Sequence, residues 1–171
     1  MELSFDPNLS KPAVFDEVQE YLAGLSLSAV TVDAERPWGG FFVIDEAQTD
    51  IFIAQYFPEL PRAQIERGAR LSPKILVVEP GKRLSWQLHH RREELWKNIG
   101  DTVGYITSPT DEQGEVQHLE RGETVQFAAQ VRHRLVGLDS WGVIAEIWQH
   151  IDPSDPSDED DIVRVADDFG R

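Results

Sequence analysis

Cysteine is absent from these 171 residues. That excludes disulfides, thiolate metal sites and cysteine nucleophiles. Long apolar runs are also missing, so no segment approaches a membrane span. The opening stretch, MELSFDPNLSK, has neither a basic n-region nor an apolar h-region, and no signal peptide is expected. The cytoplasm is the expected compartment. Positive charge is scarce: 16 Lys and Arg stand against 31 Asp and Glu, a net charge of −15. Nucleic acid and anionic membranes are therefore excluded as partners, because both demand basic surface. An anionic small molecule would need a local basic cluster, for which Lys74, Lys82, Arg83, Arg91, Arg92 and Arg134 are candidates.

What the chain has is enough apolar content, 40%, for one folded core. Residues 1–34 read as an N-terminal extension, with one helix over Phe15–Leu25 presenting Phe15, Val18, Tyr21, Leu22 and Leu25 on one face. Residues 35–171 read as a single domain of many short strands: Gly40–Asp45, Lys74–Glu79, Leu84–Leu88, Leu95–Ile99, Val103–Thr107, Thr124–Phe127, Arg132–Leu138 and Val143–Ile151. Turn signals such as Pro80-Gly81, Gly100-Asp101 and Asp139-Ser140 separate them, and such spacing means a sandwich or small barrel. Tyr56–Leu71 is polar and reads as an insertion with one helical turn. The acidic, Pro- and Ser-containing run Asp152–Asp161 reads as a solvated connector.

Four side chains carry metal-type chemistry. Gln87 and His89 alternate on one strand and so share a face. Glu94 opens the next strand after a turn, and His133 comes from a distant one. Two imidazoles, a carboxylate and an amide oxygen suit a borderline divalent ion such as zinc, manganese, iron or nickel. Two histidines alone would carry little weight; the full spacing carries more. Glu146, on a late strand, is a candidate base or a surface residue. Arg92 is a candidate to hold phosphate or polarise a carbonyl, or a structural ion pair. The five tryptophans could stack on a sugar ring, though core packing serves them equally.

The spacing Gly81, five residues, Gln87-Leu88-His89, four residues, Glu94, followed by Gly122 and His133, resembles the two cupin motifs, with Gln87 in place of the first His. Ala128 and Gln130 stand where the second motif has Pro and Gly, and Asp101 where the first ends in Gly. More closely, the chain resembles the cupin domain of type II phosphomannose isomerases. The matching blocks are Arg36-Pro37-Trp38-Gly39, the run from Leu84 to Trp96, and the closing stretch Glu159–Arg164 with Asp167–Arg171. Arg91 and Leu95 occupy positions where that family has His, and Gln48–Ser72 is longer than its norm.

The resemblance implies an all-β double-stranded β-helix, a jelly-roll barrel with a short N-terminal helical extension. It implies a metal-dependent aldose–ketose isomerase of the mannose-6-phosphate type acting through an enediol. Gln87, His89, Glu94 and His133 would hold the metal, with zinc first and manganese, iron, cobalt or nickel as alternatives. Arg92 and Lys82 would bind or polarise the substrate, and Glu146 would be the base. The partner would be a sugar phosphate or related carbohydrate, with a homodimer left open. The other reading is a non-catalytic cupin that binds a sugar or nucleotide-sugar. Ile162 and Val163 are expected to pack on the barrel, with Asp160 and Arg164 in charge-assisted hydrogen bonds.

Overall fold

The computed structural model describes residues 3–61 and 70–170. Half of Tyr56–Leu71, residues 62–69, lies outside the described residues, as does Arg171, and the described half past Tyr56 holds no helical turn. In chain order the elements begin with α1 (Lys11–Gly24), β1 (Ala29–Asp33) and β2 (Gly39–Ile44). A short 3-10 turn (Glu46–Gln48) and α2 (Thr49–Tyr56) follow. Then come β3 (Lys74–Val78), β4 (Trp86–Leu88), β5 (Arg92–Asn98), β6 (Val103–Ser108) and β7 (Gln117–Leu119). The chain finishes with β8 (Thr124–Phe127), β9 (Arg132–Val136), β10 (Gly142–His150) and β11 (Val163–Ala166). No helix among the described residues is long and apolar enough to cross a membrane.

The strands form two antiparallel sheets in a jelly roll, as the resemblance implies. One sheet runs β1-β2-β3-β10-β5-β8 and the other β11-β4-β9-β6-β7. No strand ladder joins the two among the described residues, so they face each other as a sandwich without hydrogen-bonded closure.

Strand alternation divides the packing. On β3, Ile75 and Val77 face outward and Leu76 and Val78 inward; on β5, Leu95 faces outward and Trp96 inward. The inward set packs with Val103, Leu119 and Leu135 of the second sheet. The outward set is covered by Val14, Phe15, Val18 and Leu22 of α1 and by Phe52, Ile53 and Tyr56 of α2. The N-terminal extension is therefore no appendage. β1 pairs with β2, and α1 seals the outer face of the larger sheet, with Phe15 stacked 5.1 Å from Phe42. The helix starts earlier than its apolar stripe, because Pro12 sits in its first turn, where a missing N–H costs nothing.

The run Asp152–Asp161 is also more than a solvated connector. Ser157 and Asp161 are buried, and the chain then returns as β11 along the edge of β4, with Val163 opposite Leu88 and Arg164 opposite Gln87. That pairing leaves Val163 42% exposed, so it does not pack on the barrel as expected, while Ile162 is half-buried at the cavity.

Candidate metal centre

Three elements bring the donor residues together. His89 follows the end of β4, Glu94 is the third residue of β5, and His133 lies on β9 directly opposite Gln87. A single ligand atom from each of His89, Glu94 and His133 can be chosen so that all lie within 4.8 Å of one another. All three are buried. The His133 ring stacks on Phe127 at 4.5 Å and meets the Trp96 ring edge-on at 5.4 Å, which fixes its plane. Gln87 borders the adjoining cavity with Glu94, its Oε1 accepting from the Ser85 hydroxyl at 2.6 Å.

The turn geometry accommodates the departures from the motif. Gln130 stands in the left-handed region at φ 67°, a conformation that favours glycine, and its N–H donates to the His89 carbonyl at 2.7 Å. A side chain there costs about 1–2 kcal/mol of backbone strain, and the hydrogen bond ties the two histidine strands together.

Each imidazole faces an oxygen at both ring nitrogens. His89 Nδ1 lies 2.6 Å from the Asp161 carbonyl, and His133 Nδ1 lies 3.0 Å from the Val131 carbonyl. A carbonyl only accepts, so both Nδ1 atoms carry the proton. Each Nε2 then turns toward Glu94: His89 to Oε1 and His133 to Oε2, both at 3.1 Å. Burial pushes the His89 pKa down despite the Glu94 carboxylate, which keeps the ring neutral and its Nε2 lone pair inward. Burial opposes the charge on Glu94, yet the Arg92 guanidinium beside it holds its carboxyl well below the usual range.

Lone pairs and a carboxylate thus converge, and the cluster needs a cation. Arg92 supplies one on the His89 side: its Nε donates to Glu94 Oε1 at 2.9 Å and its Nη2 to His89 Nε2 at 3.3 Å. Between His133 Nε2 and Glu94 Oε2 no side-chain cation is found among the described residues. A divalent ion held by His89, Glu94 and His133 fits this deficit, and carbonyl-anchored imidazoles are the usual setting for metal-binding His.

Beyond the donors lies a cavity of about 200 Å³, walled by Gln87, Arg92, Glu94, Trp96, Glu146 and Trp148 among others. Glu146 sits on β10 opposite Trp96 of β5. Its carboxyl accepts from both indoles, Trp96 Nε1 at 2.8 Å and Trp148 Nε1 at 3.1 Å. Burial first, and the Glu94 charge second, push its pKa up to about 7 against the pull of Lys74 and Arg92. Of its two readings in the sequence, the cavity position is the one realised.

Arg92 also borders the cavity, its guanidinium 3.7 Å from the Trp148 ring, with Nη1 donating to Ser157 Oγ at 2.9 Å and the Asp158 carbonyl at 3.1 Å. Lys82 does not reach it. Its side chain is exposed on the turn between β3 and β4, because the Gly81 turn (φ 70°) directs this segment toward Gly137. Arg91 turns outward to Asp155 and Asp158, at 3.2 and 3.1 Å, and leaves the donors alone. Neither the Asp160 nor the Arg164 side chain makes the expected charge-assisted hydrogen bond among the described residues. Asp161 instead caps the His90 and Arg91 N–H groups, both at 2.9 Å, and accepts from Ser157 Oγ at 2.7 Å. Sequence reading missed Asp161 as a site residue and gave Lys74 only as one of six candidate cations, since both act through contacts far along the chain.

Residues 50–167 match the family described as mannose-6-phosphate isomerase C-terminal. Among curated proteins, mannose-1-phosphate guanylyltransferase ManC of Salmonella typhimurium is 31% identical over 107 residues, covering 63% of this chain and 21% of that protein. Xanthan biosynthesis protein XanB of Xanthomonas campestris is 31% identical over 136 residues, covering 80% of this chain and 23% of that protein. The chain thus spans less than a quarter of the length of these relatives. Among solved structures, capsular polysaccharide assembling protein CapF from Staphylococcus aureus superposes with TM-score 0.53 at 15% identity, over 95% of this chain and 40% of that one, which speaks to the fold. With the family match running from α2 through β11, the chain belongs to the mannose-6-phosphate isomerase C-terminal family.

Proposed function

We propose that this chain is a metal-dependent aldose–ketose isomerase acting on a phosphorylated sugar of the mannose 6-phosphate type. The observation that carries the reading is Glu146: a buried carboxyl held by two indole N–H groups in a cavity it shares with the metal-type donor Glu94, where burial pushes its pKa up to about 7. Isomerisation moves a proton between adjacent sugar carbons, and a base near neutrality both takes and returns it efficiently. Trp96 and Trp148 hold the carboxyl in place through both oxygens, so the proton can leave C2 and be delivered to C1 from one position. Arg92, anchored by Ser157 and by backbone carbonyls, offers fixed positive charge to the oxygens of the enediol. The aromatic walls exclude water from the exchanging proton. A divalent ion held by His89, Glu94 and His133, with Gln87 as a fourth donor, would act as a Lewis acid on the sugar oxygens. Zinc suits the donors, as do manganese, iron, cobalt and nickel.

A second reading is a sugar- or nucleotide-sugar-binding module without turnover. Arg92 favours it, because a resident guanidinium already satisfies Glu94 Oε1 and His89 Nε2. Elemental analysis of chelator-free protein, with a mannose 6-phosphate isomerase assay on wild type and His89→Ala, separates the two. Stoichiometric metal and turnover lost in His89→Ala support the isomerase. Sugar binding by wild type with neither metal nor turnover supports the module.

A further inference from the structure

The cavity is unusual in a chain of charge −15 for the cations that border it. Most of the basic residues near the barrel are already committed. Arg83 pairs with Asp168, Arg91 with Asp155 and Asp158, and Arg134 with Asp168 and the Leu84 carbonyl. Arg92 belongs to the donor cluster. Three others line the cavity: Arg36, Lys74 and Arg164.

Lys74 is the informative one. It opens β3 and faces inward in line with Leu76 and Val78, its side chain only 6% exposed. Its Nζ stands 4.1 Å from the Trp148 ring, and 2.6 Å from Glu159 Oε1. A buried ammonium needs a counter-charge. Here the carboxylate that provides it is 72% exposed, on the closing segment, and it also lines the cavity. Glu159 therefore gives up little when it leaves, whereas Lys74 cannot do without an anion. Arg164, on β11 opposite Gln87, has no side-chain partner among the described residues. Arg36 completes the rim, held by Asp33 at 2.8 Å and 5.4 Å from the Phe41 ring.

We propose that Lys74 and Arg164, with Arg36 at the rim, form an anion subsite for the phosphate of a phosphorylated sugar, and that the Glu159 carboxylate is its internal occupant, displaced by the ligand. The proposal rests on the reading of the cavity as a sugar site. A phosphomonoester carries a charge of about −1.5 to −2 near neutral pH, against −1 for the carboxylate it replaces, so the exchange is favourable at cationic groups. The distant acidic residues are screened over about 8 Å in physiological salt, so the subsite acts locally. The anchored phosphate would leave the sugar carbons free to reach Glu146, which lies opposite Lys74 in the β3–β10 ladder.

Calorimetric titration of the full chain with mannose 6-phosphate, mannose and inorganic phosphate tests this. Wild type should bind mannose 6-phosphate more tightly than mannose, with inorganic phosphate competing. Lys74→Gln and Arg164→Gln should each weaken the phosphorylated sugar by about tenfold or more and leave mannose unchanged. Glu159→Gln should tighten mannose 6-phosphate and inorganic phosphate severalfold, an effect that loss of a merely structural ion pair does not produce. Weaker or unchanged phosphate binding in Glu159→Gln overturns the proposal, as does equal weakening of both sugars by Arg164→Gln. Because Glu159 and Arg164 are exposed, these two variants decide the matter even where Lys74→Gln fails to fold. Binding with the expected pattern but no turnover retires the isomerase reading and leaves the subsite standing. Turnover whose KM ignores Glu159 and Arg164 does the reverse.

Discussion

Toward the helices, β10 presents Val143, Ala145 and Ile147; toward the second sheet it presents Ile144, then Glu146 and Trp148 at the cavity. Every residue of the strand is buried, yet the two faces meet opposite demands. At Val143, Ala145 and Ile147 the helix-side face is held by apolar contact, with Gln149 at its end accepting from Gln126. The cavity-side face buries a carboxyl whose charge is costly and must be met by two indole donors and nearby cations. Stability and chemistry are thus segregated by the two-residue period of a single strand.

The sharpest way to break the comparison is to exchange its polar residue. Glu146→Gln keeps the shape and an acceptor, and should lower kcat by about 10²–10⁴-fold while circular dichroism stays native. Unaltered kcat would remove Glu146 from the chemistry. On the other face, Ile147→Ala opens a cavity under α1 and α2 and should cost about 2–5 kcal/mol in urea unfolding, with KM of the folded protein unchanged.

The same carboxyl should also be visible in the pH dependence of stability. Folding raises the Glu146 pKa from 4.5 to about 7, so between those values the folded chain holds the extra proton. Stability from this residue is complete below about pH 4.5 and falls as pH rises through about 7, by about 3 kcal/mol in all. Glu146→Gln should erase that loss, making the variant more stable than wild type at pH 8 and similar near pH 5. Equal profiles in urea denaturation would show that the charge is better solvated than its burial suggests.

The smallest expected effect lies where the closing segment meets the donors. Asp161→Ala removes the cap on the His90 and Arg91 N–H groups and frees the carbonyl that orients His89. Metal affinity, read by competition with a chromophoric chelator, should fall about 10–100-fold. Asp168→Ala loosens the same segment at Arg83 and Arg134 and should leave it unchanged. Equal losses in both would reduce Asp161 to general support.

The donor set was legible because its geometry is local: Gln87 and His89 share a face by alternation, and Glu94 follows within one turn. His133 was legible through its motif spacing. The strands β2, β3, β5, β6, β8, β9 and β10 declared themselves by apolar runs between turns. β7 and β11 did not, being three and four residues long and largely exposed. The apolar stripe of α1 was readable, but nothing in it said which surface it would cover. Lys82 was placed at the substrate while Lys74 was named only among the candidate cations; inward direction on a strand, which decides the matter, depends on a register set by β2 and β10. Asp161 and Glu159 were hidden in an acidic run whose composition looks the same whether it is solvated or folded back.

The Asp161 carbonyl that orients His89 is made 72 residues after it. At about 5–20 residues per second, a growing chain carries all its donor residues, the last being His133, for about one to six seconds before that oxygen exists. During this interval His89 is free to choose either ring tautomer and either rotamer. The orientation of His89 is thereby tied to the arrival of the closing segment: without the Asp161 carbonyl, no other group among the described residues holds its Nδ1.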